Sequence, residues 1–145
     1  MADKTNGEIV ITASPQKVMD VIADLVVYPE WADGVEKIEV EATFEDGRPK
    51  LARLFFSSGP IKDEFVLLYD WHGTDSVDWE LTEGKVINQE QGTYTLADNG
   101  DGSVTVTYDL EVGINMPLPG FVKRKAAKQM VKVALDGLKK RVESL

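Results

Sequence analysis

Between Val35 and Ile114 apolar and polar residues alternate with a period of two, and on either side of that stretch the period becomes helical. The clearest case sets Ile38, Val40, Ala42 and Phe44 against Lys37, Glu39, Glu41, Thr43 and Glu45, which is the pattern of a strand with one wet face. Further strands are predicted around Leu51–Ser57, Ile61–Trp71, Val77–Leu81, Val86–Leu96 and Val104–Val112, with Phe65, Leu67, Tyr69 and Trp71 sharing one face. Asp46-Gly47, Ser58-Gly59-Pro60, Glu83-Gly84 and the run from Asp98 to Gly102 supply turns between them. The expected product is an antiparallel meander.

Before the meander, a short strand around Ile9 meets Ser14-Pro15, a helix-start signature. The serine hydroxyl can accept from an orphan backbone N–H, and proline needs no donor in the first turn. Val18, Val21, Ile22 and Leu25 then give a helix one buried stripe, which Pro29 is expected to stop, with Trp31 on a second short helical turn. After the meander, Leu118–Leu145 reads as a long helix. Ala127, Met130, Val131, Ala134, Leu135, Leu138 and Val142 share a broad apolar face, opposite Arg124, Lys128, Lys132, Asp136 and Lys139. A helix with so wide an apolar face needs an equally apolar surface, and the inner side of a curved sheet is the one on offer. The fold class is therefore α+β.

At 145 residues the chain fits one domain, spanning residues 1–145. It has no cysteine and one histidine, which removes disulfides, thiolate metal sites and cysteine nucleophiles, and fits a reducing compartment. No apolar run resembles a signal peptide or a membrane span, so a soluble cytoplasmic protein is expected. The net charge of −9 argues against nucleic-acid binding. It is unevenly spread: residues 117–145 carry eight basic residues against Asp136 and Glu143, while the rest of the chain sets eight basic residues against 23 carboxylates. Lys123, Arg124 and Lys125 stand near a helix N-terminus, where positive charge opposes the macrodipole. Acidic strand ends of the same chain are their preferred partners, with an acidic ligand or an anionic membrane surface as alternatives. Membrane contact is thus possible without being expected, and a monomer or weak dimer is anticipated.

The order of elements resembles the helix-grip fold of the START and Bet v 1-like superfamily, in which a curved antiparallel sheet wraps a long C-terminal helix and two short helices follow the first strand. ITASPQKVMDVIADLVVYPEWADGV is similar to the opening of bacterial polyketide cyclase/dehydrase-type proteins, with a small-Pro step, an apolar helix and a Tyr-Pro-x-Trp turn. Trp79-Glu80-Leu81 before a Gly turn, Gly92-Thr93-Tyr94 opposite Val106-Thr107-Tyr108, and Met116-Pro117-Leu118-Pro119-Gly120 extend the likeness over nearly the whole chain. The resemblance implies a cavity between sheet and helix that takes lipids, polyketides or other lipophilic compounds. No cofactor and no metal are expected.

Ligand-binding candidates are Trp31, Phe56, Phe65, Tyr69, Trp79, Tyr94, Tyr108, Met116, Phe121 and Met130, broad apolar surfaces with a few orienting hydroxyls. The reading is binding of a lipophilic small molecule. A polyketide cyclase or aromatase, or a lipid or quinone chaperone docking through the basic helix, are the alternatives. A cyclase needs a polar group inside the cavity, for which Glu90, Arg53 and Tyr94 are candidates. An uninterrupted strand that points Tyr94 inward also points Asn88 and Glu90 inward. The preferred reading is instead a bulge at Gly92 or plain exposure, which returns Glu90 to solvent. Arg53 depends on register in the same way, and the choice that buries Ala52, Leu54 and Phe56 leaves it outside. His72 is expected in solvent at a turn. The Asp98–Gly102 run lacks the spacing of a calcium loop. Two irregular segments, Tyr28–Gly34 and Asn115–Gly120, are expected to flank the cavity entrance.

Overall fold

The computed structural model describes residues 2–145. β1 (Asp3–Ile11) leads into α1 (Pro15–Ala23) and a 3₁₀ helix (Leu25–Glu30). β2 (Val35–Thr43), β3 (Pro49–Ser58), β4 (Ile61–His72), β5 (Ser76–Glu83), β6 (Ile87–Asp98) and β7 (Val104–Ile114) follow, and α2 (Gly120–Glu143) comes last. The strands form one antiparallel seven-stranded sheet in the order β1-β7-β6-β5-β4-β3-β2. Consecutive strands β2 to β7 are neighbours, as a meander requires. Only β1 departs from sequence order, pairing with β7 from Asp3↔Val112 to Ile11↔Val104.

β1 is longer than the short strand expected around Ile9. Its inward positions before Ile9 are Asp3, Thr5 and Gly7, none of which announces a buried face. The reason is space: a Cβ at Gly7 would stand 3.0 Å from Val131 Cγ1 and 3.2 Å from Leu135 Cδ1, so α2 lies close over this strand. The α1 start is as read, with Ser14 Oγ accepting from the Lys17 N–H at 3.2 Å. Removing that cap costs about 1 kcal/mol. Pro29 does not stop α1. The helix already ends at Ala23, and Pro29 sits within the 3₁₀ helix, whose backbone angles match the fixed φ of proline.

The core lies between the concave face of the sheet and α2. Ile38, Ala52, Leu54, Phe65, Leu67, Val77, Leu96, Val106 and Leu110 reach it from the sheet, Val18, Met19 and Ile22 from α1, and Ala127, Val131, Leu135, Leu138 and Val142 from α2. Arg53 points out of the concave face, in the register that buries Ala52 and Leu54. Its guanidinium bonds Glu41 at 3.0 Å and Glu64 at 2.9 Å across three strands. No helix among the described residues is long and apolar enough to cross a membrane.

Candidate functional site

Tyr69 on β4, Trp79 on β5, Tyr94 on β6 and Tyr108 on β7 occupy inward positions that cross-strand pairing brings side by side: Tyr69↔Trp79 and Tyr94↔Tyr108 are directly opposed. The indole of Trp79 is the hub. Its ring centroid lies 6.0 Å from that of Tyr69, 5.2 Å from Tyr94 and 5.5 Å from Tyr108, and Tyr94 and Tyr108 are 4.7 Å apart. Tilted contacts of this kind suit the ring quadrupoles and add about 0.5–1.5 kcal/mol per pair beyond the area buried. Directly across from Trp79 stands Gly92. A Cβ there would fall 2.2 Å from Cζ2 and 2.6 Å from Nε1 of the indole, so only glycine lets the ring lie over β6.

That ring position directs the indole N–H onto Glu90 Oε2 at 2.9 Å. The expectation of a bulge at Gly92 is corrected here. The β6–β7 ladder runs unbroken from Gln89↔Gly113 through Gly92↔Leu110, and the irregularity lies one step earlier, between Ile87 and Gln89. The shift spans Asn88, which is exposed, and keeps both Ile87 and Glu90 on the concave side. Desolvation pushes the Glu90 carboxyl up from 4.5 to about 7, against the opposing pull of the Trp79 hydrogen bond. Burial and the nearby Glu90 charge also raise the Tyr69 and Tyr94 phenols well above 10, so both stay neutral.

These side chains wall a cavity of about 350 Å³. Trp31, Phe56, Phe65, Tyr69, Trp79, Tyr94, Tyr108 and Met130 all lie on it, together with Glu90. Met116 and Phe121 do not. Met116 packs against the core elsewhere, and Phe121 is 66% exposed in the first turn of α2. Arg53 is on the opposite side of the sheet. Tyr28 and Gln129 join the wall without having been singled out, although the Tyr-Pro-Glu-Trp turn was the signal available for Tyr28. The Tyr28 hydroxyl donates to the Ile22 carbonyl at 2.5 Å. Asp33, Ser58 and Gln129 are wall residues that also meet solvent, and they mark the mouth between the 3₁₀ turn, the end of β3 and the middle of α2. Of the two irregular segments, Tyr28–Gly34 borders the cavity and Asn115–Gly120 contributes nothing to its wall.

Several polar groups inside have no partner. The hydroxyls of Tyr69, Tyr94 and Tyr108 make no hydrogen bond with the described residues, and neither does the buried Trp31 Nε1. For Trp31 Nε1, which is fully buried, a donor left alone costs about 1–3 kcal/mol. Outside the cavity, His72 Nε2 lies 3.0 Å from Asp78 and 3.5 Å from Asp70 on the outer face of β4 and β5. The ion pairs of α2 among the described residues join Lys132 to Asp136, Lys139 to Glu143 and Arg141 to Glu30. Lys123, Arg124 and Lys125 take no part in them, so the expected acidic strand ends form no ion pair with that cluster among the described residues.

Comparison with solved structures gives the same architecture. A START superfamily protein from Mycobacterium smegmatis superposes with a TM-score of 0.88 at 21% identity, covering 97% of each chain. A protein from Thermus thermophilus gives 0.81 at 22% identity over 98% of each chain. The Zhui aromatase/cyclase from a Streptomyces species gives 0.77 at 12% identity, covering 99% of this chain and 94% of that one. No curated protein sequence matches. Residues 3–143 match the family model described as polyketide cyclase/dehydrase and lipid transport, and with nearly the full length so matched on a helix-grip scaffold, the chain belongs to that family.

Proposed function

We propose that this protein binds a lipophilic small molecule in the cavity between the sheet and α2. The observation that carries the reading is an apolar, aromatic wall around about 350 Å³ that also carries the hydroxyl-bearing side chains of Tyr69, Tyr94 and Tyr108 and the carboxyl of Glu90. A volume of this size takes a small drug-sized molecule, and few, convergent polar groups are what orients one. Trp31, Phe56, Phe65, Tyr69, Trp79, Tyr94, Tyr108 and Met130 are the proposed contact residues. Native mass spectrometry of protein isolated from its own cells, followed by solvent extraction, tests the reading. A bound lipophilic compound supports it, and uniformly empty protein that also fails to take up apolar probes refutes it.

Glu90 favours a second reading, a cyclase- or dehydrase-type enzyme. A carboxyl raised to about 7 and facing the cavity can take up and return a proton at neutral pH, as enolisation or dehydration of a carbonyl compound demands. Tyr94 is the neighbouring hydroxyl donor, while Arg53 has no access to the cavity. The Glu90→Gln variant separates the readings. Unchanged turnover of a model β-hydroxyketone by the variant would end the enzymatic one.

A further inference from the structure

We infer that the cavity selects a lipophilic amine, an apolar ring system whose ammonium group sits against Glu90 among the rings of Tyr69, Trp79, Tyr94 and Tyr108. The inference rests on the reading of the cavity as a binding site and names the chemistry of its occupant. The first support is an asymmetry of charge. No Lys, Arg or His lines the cavity, and its acidic residues are Asp33 at the mouth and Glu90 inside. A ligand carboxylate or phosphate would meet like charge in a poorly solvated space with nothing to neutralise it, which costs several kcal/mol. Fatty acids and anionic lipids are therefore the wrong occupants for this interior.

The second support is the valence left open on Glu90. Trp79 Nε1 occupies Oε2 at 2.9 Å, and Oε1 has no donor among the described residues. An ionised carboxylate accepts at both oxygens, and a charged donor satisfies it best. An ammonium also has further N–H groups, for which the unpartnered oxygens of Tyr69, Tyr94 and Tyr108 are acceptors. A neutral alcohol could reach Oε1 as well, but it would leave the buried negative charge uncompensated.

The third support is the ring wall itself. Four electron-rich rings share the cavity wall with Glu90, and Trp79, which bonds Glu90, lies within 6.0 Å of each of the other three by centroid. Their faces carry negative potential, and a desolvated cation gains from each ring it touches. The chain's net charge of −9 adds long-range attraction for cations.

The test uses three probes with one ring system: naphthylethylamine, naphthylethanol and naphthylpropionate, titrated calorimetrically into the full chain at about pH 8, where Glu90 is ionised. The amine should bind about tenfold or more tightly than the alcohol, and the propionate weakest, as charge-assisted hydrogen bonding predicts. Glu90→Gln keeps an acceptor for the Trp79 N–H. It should bring the amine to about the affinity of the alcohol and leave the alcohol within about twofold. Equal binding of all three probes, a preference for the propionate, or an unchanged amine affinity in the variant would overturn the amine and leave cavity binding standing. Binding of none of them would overturn both.

Discussion

Replacing Glu90 by Gln should change how stability responds to pH while leaving the packing intact. The two side chains have the same shape, and the amide oxygen can still accept the Trp79 N–H. In the folded protein the carboxyl titrates at about 7 instead of 4.5, because burial disfavours its charge. Between those values the native state holds a proton that the unfolded chain has released. Stability from this group is therefore complete below about pH 4.5 and is lost as the pH rises to about 7. Each pH unit across the interval corresponds to 1.36 kcal/mol, so the wild type should lose roughly 3 kcal/mol relative to Glu90→Gln between pH 4.5 and 8. Some accessible surface on Glu90 trims this toward roughly 2 kcal/mol. In a domain of this size that is a difference of about 5–10 °C in Tm. The groups facing Glu90 are Trp79 from β5 and the phenols of Tyr69, Tyr94 and Tyr108 from β4, β6 and β7, which stay neutral throughout. Urea denaturation of both proteins at half-unit pH steps measures the effect. The two curves should coincide below about pH 4.5, diverge steadily from there to about pH 7 and run parallel above it, with the variant the more stable. Curves parallel across the whole range would refute the placement of an unpaired carboxyl inside the cavity.

Gly92→Ala places a Cβ 2.2 Å from Cζ2 of the Trp79 indole, so the ring must move off β6; this should cost about 1–3 kcal/mol by overpacking, with a red shift in tryptophan emission. Gly137→Ala places a Cβ 2.2 Å from the Trp31 carbonyl oxygen, so α2 and the 3₁₀ turn must separate. A loss of about 1–3 kcal/mol in chemical denaturation should outweigh the helix propensity gained by removing glycine. Tyr94→Phe deletes a hydroxyl that bonds nothing among the described residues; unfolding free energy should stay within about 0.5 kcal/mol of wild type while affinity for cavity probes falls. Co-sedimentation with anionic vesicles at low salt checks whether the unpaired Lys123, Arg124 and Lys125 attract a membrane. Pelleting that persists after all three are changed to Ser would exclude them as the cause.

Much of the scaffold was readable from local pattern. The Ser14 cap, the buried stripe of α1, the turns and the strand faces carrying Phe65, Leu67, Tyr69 and Trp79 each depend on residues only a few positions apart. Arg53 was resolved by an ordinary preference for leaving charge in water. Glu90 was misjudged by the same preference, because the concave face holds a cavity where a carboxyl can stand beside an indole N–H. Met116 and Phe121 looked like pocket residues by type alone. Phe121 precedes the turns of α2 that face the cavity, which are marked by Gln129, Met130, Val133 and Ala134.

The sequence by itself determined the elements, their order and the faces they bury, since periods of two and 3.6 residues are written in short-range spacing. The tertiary structure decided what the faces enclose. A single shifted residue at Asn88 puts Ile87 on the same side of the sheet as Glu90, and that shift belongs to hydrogen bonding with β7, more than twenty residues away. The absence of a side chain at Gly92 gains its meaning only from Trp79 across the ladder. The broad apolar face of α2 divides in the same way: Val131 and Leu135 close on β1, whereas Met130 and Ala134 face open space. A cavity is the part of the interior that side chains leave unfilled, and it is set by how several elements meet.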